Sequence, residues 1–295
     1  MEENQAIHGS VQADNYKVFA WLSRYLNDAP DLIKPEEIAE ITQYGVSEEY
    51  AFAVILAGAF GLDIADDPAD KALFNRYFSQ MIHKLDVEVY YNNPYYRNIR
   101  IPPVTVGSSE LKYEAYQPYE GFVCNDILRT AEGRQLPQIG FFAEEFRFPA
   151  ILEKGRIWMT ITPNEIATMQ EAVEQAHGHV LAFGLGLGYY AYMASEQERV
   201  ESVTVVEINP HVIQLFNEHV LPQFGNAHKI KVVQADAFAF AEAELPKGQY
   251  DYVFTDLWHD VSDGIDLYLR MKTYEPLSPG AEFVYWIEQS MLCYL

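Results

Sequence analysis

Gly184-Leu185-Gly186-Leu187-Gly188 follows directly on an apolar run, Val180-Leu181-Ala182-Phe183. Glycines at such a place permit a tight turn and let a ligand approach bare backbone. A second apolar run ends in Glu207, nineteen residues past Gly188. A carboxylate there can accept hydrogen bonds from both hydroxyls of a ribose. A third run ends in Asp236, followed by Ala237 and Phe238, so an acceptor for an amino group stands beside apolar surface suited to a flat ring. A fourth ends in Asp256-Leu257-Trp258-His259-Asp260, which gathers two carboxylates, an imidazole and an indole. Asp256 is the first candidate for positioning or deprotonating an acceptor, His259 the second and Asp260 the third. The imidazole has an ordinary pKa near neutrality, which suits a general base. Asp256, His259, Asp260 and Asp263 could in principle hold a metal, but short polar side chains at this spacing more often cap turns, and no metal is expected. The glycine spacing is GxGxG, with Tyr189 where the third glycine of a dinucleotide fingerprint would stand, which disfavours NAD.

The elements that must position these groups alternate regularly. Strands are predicted at 180–184, 202–208, 229–235, 250–256 and 281–287, with helical stretches at 211–221 and 264–275. Thr162-Pro163-Asn164-Glu165 opens a helix ahead of them, with threonine as cap, proline in the first turn and glutamate able to close a capping box. Strands this apolar, separated by helices, predict a parallel sheet covered on both faces. In such a sheet ligands bind outside the carboxyl ends of the strands, where all four clusters fall. The predicted fold class is therefore α/β, a doubly wound, mostly parallel Rossmann-like sheet over 162–295. A helical region, 1–86, and a small β-rich segment, 87–161, precede it.

In the helical region Val18, Phe19, Leu22, Tyr25 and Leu26 share one face, and Leu73, Phe74, Tyr77, Phe78, Met81 and Ile82 form another stripe. Asp67-Pro68 is a cap and first-turn pair, and Pro35 and Ser47 open two further helices. VEVYY, IPPVTV, LKYEAY, QIGFFAEEFRF and RIWMTI are short, aromatic and β-prone. Between the first two lies Asn92-Asn93-Pro94-Tyr95, similar to the Asn/Asp-Pro-Pro-Tyr signature of amino methyltransferases but read here as a proline turn.

The formal net charge of −23 repels a polyanion, whose affinity depends on cations neutralising phosphates, and it attracts a cationic small molecule such as an amine. The expected partner is a small-molecule substrate, an amine among the candidates, and not nucleic acid. Two cysteines, Cys124 and Cys293, form no CxxC and fit a reducing compartment. No basic-then-apolar leader opens the chain, and its longest apolar run, 51–61, is too short for a bilayer. A cytoplasmic protein without membrane attachment is expected.

Over about 130 residues the chain resembles the class I S-adenosylmethionine-dependent methyltransferases, and within them the spermidine-synthase-like branch. VLAFGLGLGYY at 180–190, VVEINPHVI at 205–213, QADAFAF at 234–240 and YDYVFTDLWHD at 250–260 carry the resemblance. It implies S-adenosylmethionine as cofactor, bound by Gly184, Gly186, Gly188, Glu207, Asp236, Ala237 and Asp256. It also implies contact from the segment ITPNEIATM at 161–169, through Asn164 or Glu165. Three departures stand out. Ala182 occupies a position that is acidic in many methyltransferases. Val261 and Leu187 replace a proline and an aspartate of the aminopropyl-transferring synthases, which counts against polyamine synthesis. The family's terminal hairpin is not expected after strand five, so either the β-rich segment completes the sheet edge or a partner chain, as in a homo-oligomer, covers it. The resemblance implies a methyltransferase acting on a small molecule. An aminopropyltransferase using decarboxylated S-adenosylmethionine and a noncatalytic module that senses the cofactor are the alternatives.

Overall fold

The structure, a computed structural model, describes residues 2–295, with side chains from Ser10 onward. Strands are numbered in chain order: β1 Ile82–Leu85, β2 Val104–Val106, β3 Ser109–Tyr116, β4 Phe122–Arg129, β5 Gln135–Phe142, β6 Phe146–Glu153, β7 Arg156–Thr160, β8 Gly178–Phe183, β9 Val200–Glu207, β10 Ile230–Gln234, β11 Tyr252–Thr255 and β12 Glu282–Tyr285. They form three sheets within two compact units.

One unit takes the chain up to Val87 and returns for Ala115–Arg147. Its helices Glu2–Asp28, Pro35–Thr42, Glu48–Ala59 and Pro68–Arg76 begin where the sequence predicts the last three to begin. Ser47 accepts from Tyr50 N at 3.2 Å, and Asp67 Oδ1 accepts from Ala69 N at 2.7 Å, so both starts carry working caps. Val18, Leu22, Tyr25, Leu73, Phe74, Tyr77, Phe78 and Met81 are buried together. Phe52 stacks on Phe141 with centroids 4.4 Å apart, joining these helices to a mixed sheet of order β1-β5-β4. The helical stripe ends one residue earlier than its periodicity predicts. Ile82 leaves the helix Phe78–Met81 to open β1, because residues 82–85 pair in parallel with Ile139–Phe142 and pairing outweighs local propensity. β4 has no counterpart among the predicted strands.

The second unit holds Glu88–Glu114 and Phe148–Leu295. VEVYY, predicted as a strand, is instead the short helix Val87–Tyr91, with Val87 buried and Val89 65% exposed. β-Propensity is a fit to a pleated surface, and these residues have no neighbouring strand. Asn93 then caps the helix Pro94–Asn98, its side chain accepting from Tyr95 N at 2.9 Å. The other β-prone stretches are strands, and β2, β3, β6 and β7 make a sheet of their own in that order, with β2/β3 and β6/β7 antiparallel.

The five downstream strands form an all-parallel sheet of order β10-β9-β8-β11-β12. Val180, Leu181, Ala182 and Phe183 are each at most 1% exposed, so both faces of β8 are covered. Ala182, at the position acidic in many methyltransferases, lies inside this core between Val205 and Phe254. The chain is therefore mixed α/β, with the parallel sheet as one of three and the other two containing antiparallel pairs. No β-rich strand extends the parallel sheet: β12 is its edge, followed by the helix Glu288–Leu292. No helix among the described residues is long and apolar enough to cross a membrane.

Candidate functional site

Each strand of the parallel sheet ends at one cavity of about 330 Å³, inside the second unit. β8 delivers Gly184 and Leu185, β9 Glu207, β10 Asp236 with Ala237 and Phe238, β11 Asp256 through His259, and β12 Trp286. A volume of this size falls at the small end of ordinary ligand sites. Of the residues singled out by sequence, Gly184, Glu207, Asp236, Ala237, Asp256 and His259 line it. Gly186, Gly188 and Asp260 do not.

The glycine turn is set from both sides. Gly184 N donates to Val206 O at 2.9 Å and Gly188 N to Leu185 O at 2.8 Å. Gly184, Gly186 and Gly188 have φ of +97°, +50° and +75°, the region where glycine is free of the Cβ penalty. Leu187 is 3% exposed and faces the core, which accounts for its apolar character where the synthases carry an aspartate. Its carbonyl accepts from Tyr95 Oη at 2.6 Å, and Asn93 Nδ2 donates to Tyr189 Oη at 3.1 Å. Burial holds the Tyr95 phenol well above its usual pKa, so it remains a donor. The Asn92-Asn93-Pro94-Tyr95 stretch therefore braces the glycine turn from behind and stays out of the cavity.

Glu207 is held by two backbone donors. Leu185 N reaches Oε2 at 3.2 Å and Asn209 N reaches Oε1 at 2.8 Å. A carboxylate has about four acceptor sites, so each oxygen keeps capacity for a ligand hydroxyl. Asp236 caps the helix Ala237–Glu244, with Oδ1 accepting from Ala239 N at 2.9 Å. Ala237 and Phe238, each 7% exposed, give the apolar surface next to it.

Asp256 is half-buried in the cavity wall. Burial raises its carboxyl well above the usual carboxylate range, and the neighbouring charges of Glu165 and Glu207 raise it further. Glu165 comes from the capping box that opens the helix Pro163–Gln175. Its Oε2 accepts from Thr162 N at 2.7 Å and from the Thr162 hydroxyl, and its Oε1 accepts from Thr160 Oγ1 at 2.9 Å. Burial raises Glu165 as well, and the threonine bonds oppose the rise. No lysine or arginine lines the cavity, so its charged lining is Glu165, Glu207, Asp236 and Asp256. Three of the chain's four tryptophans, Trp158, Trp258 and Trp286, also line it. Trp286 Nε1 donates to Thr168 Oγ1 at 2.7 Å, and His259 lies 4.9 Å from the exposed Trp158 ring.

Sequence reasoning weighed Glu165 only as a contact, and missed Trp158, Met159 and Trp286. RIWMTI was the available signal for the first two, since it runs into the cap of the helix that brings Glu165. Asp260 is spent on structure. It caps the helix Val261–Lys272, accepting from Ser262 N at 2.6 Å, while Asp263 accepts from His259 N and Asp260 N. Burial pushes Asp260 up, but the Ser262 bonds and His259 outweigh it and hold the carboxyl below its usual range. Asp260→Ala is expected to cost about 1 kcal/mol of stability, the ordinary loss of a cap, while ligand affinity stays within about twofold. Paired urea melts and titrations check this. Among the described residues, no three His, Cys, Asp or Glu side chains are grouped to hold a metal.

No protein-family model matches the chain, and no curated protein matches it with significance.

Proposed function

We propose that the chain is an S-adenosylmethionine-dependent methyltransferase with a small-molecule acceptor, built on a doubly wound Rossmann-like sheet of the class I type. The observation that carries this is the cavity itself: Gly184, Glu207, Asp236 and Asp256 at four successive strand ends, with no cation among the lining residues. A dinucleotide brings a pyrophosphate that would meet the carboxylates of the cavity wall; a nucleoside with a positive sulfur meets them as counter-charges.

The residues fit such a ligand by their chemistry. Glu207 has acceptor capacity for a ribose, and Asp236 beside Ala237 and Phe238 suits an adenine. Gly184 presents backbone without a side chain. When bound, S-adenosylmethionine supplies a methyl group on an electron-poor sulfur, and the cofactor carries that reactivity. The chain's own part is alignment and exclusion of water. Trp158, Trp258 and Trp286 wall the space, and Asp256 orients the acceptor and accepts its proton, with His259 at the more exposed end of the same loop. A second reading, aminopropyl transfer, draws on the three carboxylates Glu165, Glu207 and Asp256. They favour a decarboxylated cofactor, which carries an amine and lacks the carboxylate. Formation of methylthioadenosine in place of S-adenosylhomocysteine distinguishes it.

Calorimetric titration of wild type and Glu207→Ala with S-adenosylmethionine and S-adenosylhomocysteine tests the proposal. Loss of a charge-assisted hydrogen-bonding group is expected to weaken both ligands by roughly ten- to a hundredfold, on the order of 1.5–3 kcal/mol. Equal affinities for the two proteins would remove Glu207 from the ribose.

A further inference from the structure

Asp256 differs from the other carboxylates of the cavity in what surrounds it. Glu165 receives a backbone N–H and two threonine hydroxyls, Glu207 two backbone N–H groups, and Asp236 the N–H of Ala239. Among the described residues nothing donates to the Asp256 carboxylate, which forms part of the cavity wall. Three donors oppose the burial that raises Glu165. Asp256 has burial and its neighbours' negative charge against ionisation, and no donor in its favour.

The other charged groups nearby do not relieve it. His259 follows on the same loop, with its ring near Trp158. Asp260 and Asp263 are occupied at the start of the helix Val261–Lys272. From the far end of that helix, the Arg270 guanidinium lies over the Phe238 ring, 3.8 Å from its centroid, and Lys272 pairs with Glu275 and Glu288. Neither cation lines the cavity.

We propose that the ligand-free protein carries a proton on Asp256, kept there by its undonated place in the cavity wall beside Glu165 and Glu207, and that a sulfonium cation entering the cavity displaces it. This rests on the reading of the cavity as a sulfonium-nucleoside site. The only bond that changes in the step is the carboxyl O–H. The O–H of Asp256 gives its proton to solvent, and the carboxylate left behind faces the positive sulfur. S-Adenosylhomocysteine lacks only the transferred methyl group and, with it, that charge, and leaves the proton in place. The site therefore distinguishes substrate from product by charge, and it takes a proton back when transfer neutralises the sulfur. A further consequence follows from linkage: proton release on binding makes S-adenosylmethionine bind more tightly as pH rises, by up to about tenfold per unit, until Asp256 is ionised in the free protein.

Titration calorimetry of the whole chain in two buffers of different ionisation enthalpy near pH 7 counts the protons. The expected result is release approaching about one proton for S-adenosylmethionine and about none for S-adenosylhomocysteine. Glu165→Gln is expected to shrink the difference, because it removes one of the charges holding the proton. Equal counts for the two ligands in wild type would overturn the proposal. Should neither ligand bind, the nucleoside reading fails, and the infrared difference spectrum between wild type and Asp256→Asn at neutral pH decides the proton separately. A protonated-carboxyl band lost in the variant supports the proposal; its absence from wild type refutes it.

Discussion

Gly184→Ala is expected to destabilise the protein by about 2–6 kcal/mol, enough to leave much of the chain unfolded at ambient temperature. Two costs add at this position. The backbone has φ of +97°, which side chains rarely adopt, and a Cβ would lie 1.9 Å from the carbonyl oxygen of Asp256. That oxygen belongs to backbone and cannot rotate aside. The two segments are also tied, since Asp256 N donates to Phe183 O at 2.9 Å. Relief therefore means moving β11 away from β8. Gly186→Ala is the control. Its φ of +50° lies in the ordinary left-handed region, and the added carbon meets the Met159 side chain, Cε at 2.5 Å and Sδ at 2.6 Å. A methionine end can move, so about 1–2 kcal/mol from the backbone is expected there, with ligand affinity altered because Met159 lines the cavity. Urea denaturation of the three proteins measures both. A Gly184→Ala protein within about 1 kcal/mol of wild type would mean the turn is slack.

Asp256→Asn is expected to lower methyl transfer by about a hundred- to ten-thousand-fold, the range for loss of a positioned base, while making the ligand-free protein more resistant to heat. The two effects share one cause. The folded protein binds the Asp256 proton more tightly than the unfolded chain does, through burial and the charges of Glu165 and Glu207. Stability from this group is therefore complete below the ordinary aspartate pKa. It is lost as pH rises toward the elevated folded value, where the unfolded chain ionises freely and the folded one does so at a cost. Asparagine removes that loss, so the gain in melting temperature should grow from acid to neutral pH. Such opposition between stability and activity is common at functional sites. A thermal melt series over pH, with a methyl-transfer assay alongside, separates the outcomes. A sensor without catalysis would show the stability gain and have no methyl transfer to lose.

The parallel sheet was legible because its three inner strands are buried on both faces over Val180–Phe183, Val203–Val206 and Tyr252–Thr255, and are written there as largely apolar runs. VLAF, SVTVVE and YVFT stop where a glycine or a carboxylate appears. Those stops mark the strand ends, and so the sequence alone places Glu207, Asp236 and Asp256 at one mouth. β4 was illegible for a physical reason. Asn125 and Asp126 break its alternation, and its register against β5 slips at Val123/Asn125 and again at Asn125/Leu128. VEVYY misled because its residues suit a strand that has no neighbour to pair with. Glu165 was half legible. Its capping box can be read from four residues, but its nearness to Asp256 comes from folding a helix onto the end of β11, which no local pattern encodes. Asp256 and Asp260 look alike in sequence, and only the geometry assigns one to the cavity and the other to a helix cap.

A crystal of this chain grown with S-adenosylhomocysteine tests the central claim most directly. The nucleoside should lie across the ends of β8, β9 and β10, with its ribose hydroxyls on Glu207, its base beside Asp236 and Phe238, and its sulfur toward Asp256. Density for the compound elsewhere, or that cavity filled by the protein's own side chains at saturating ligand, would contradict it.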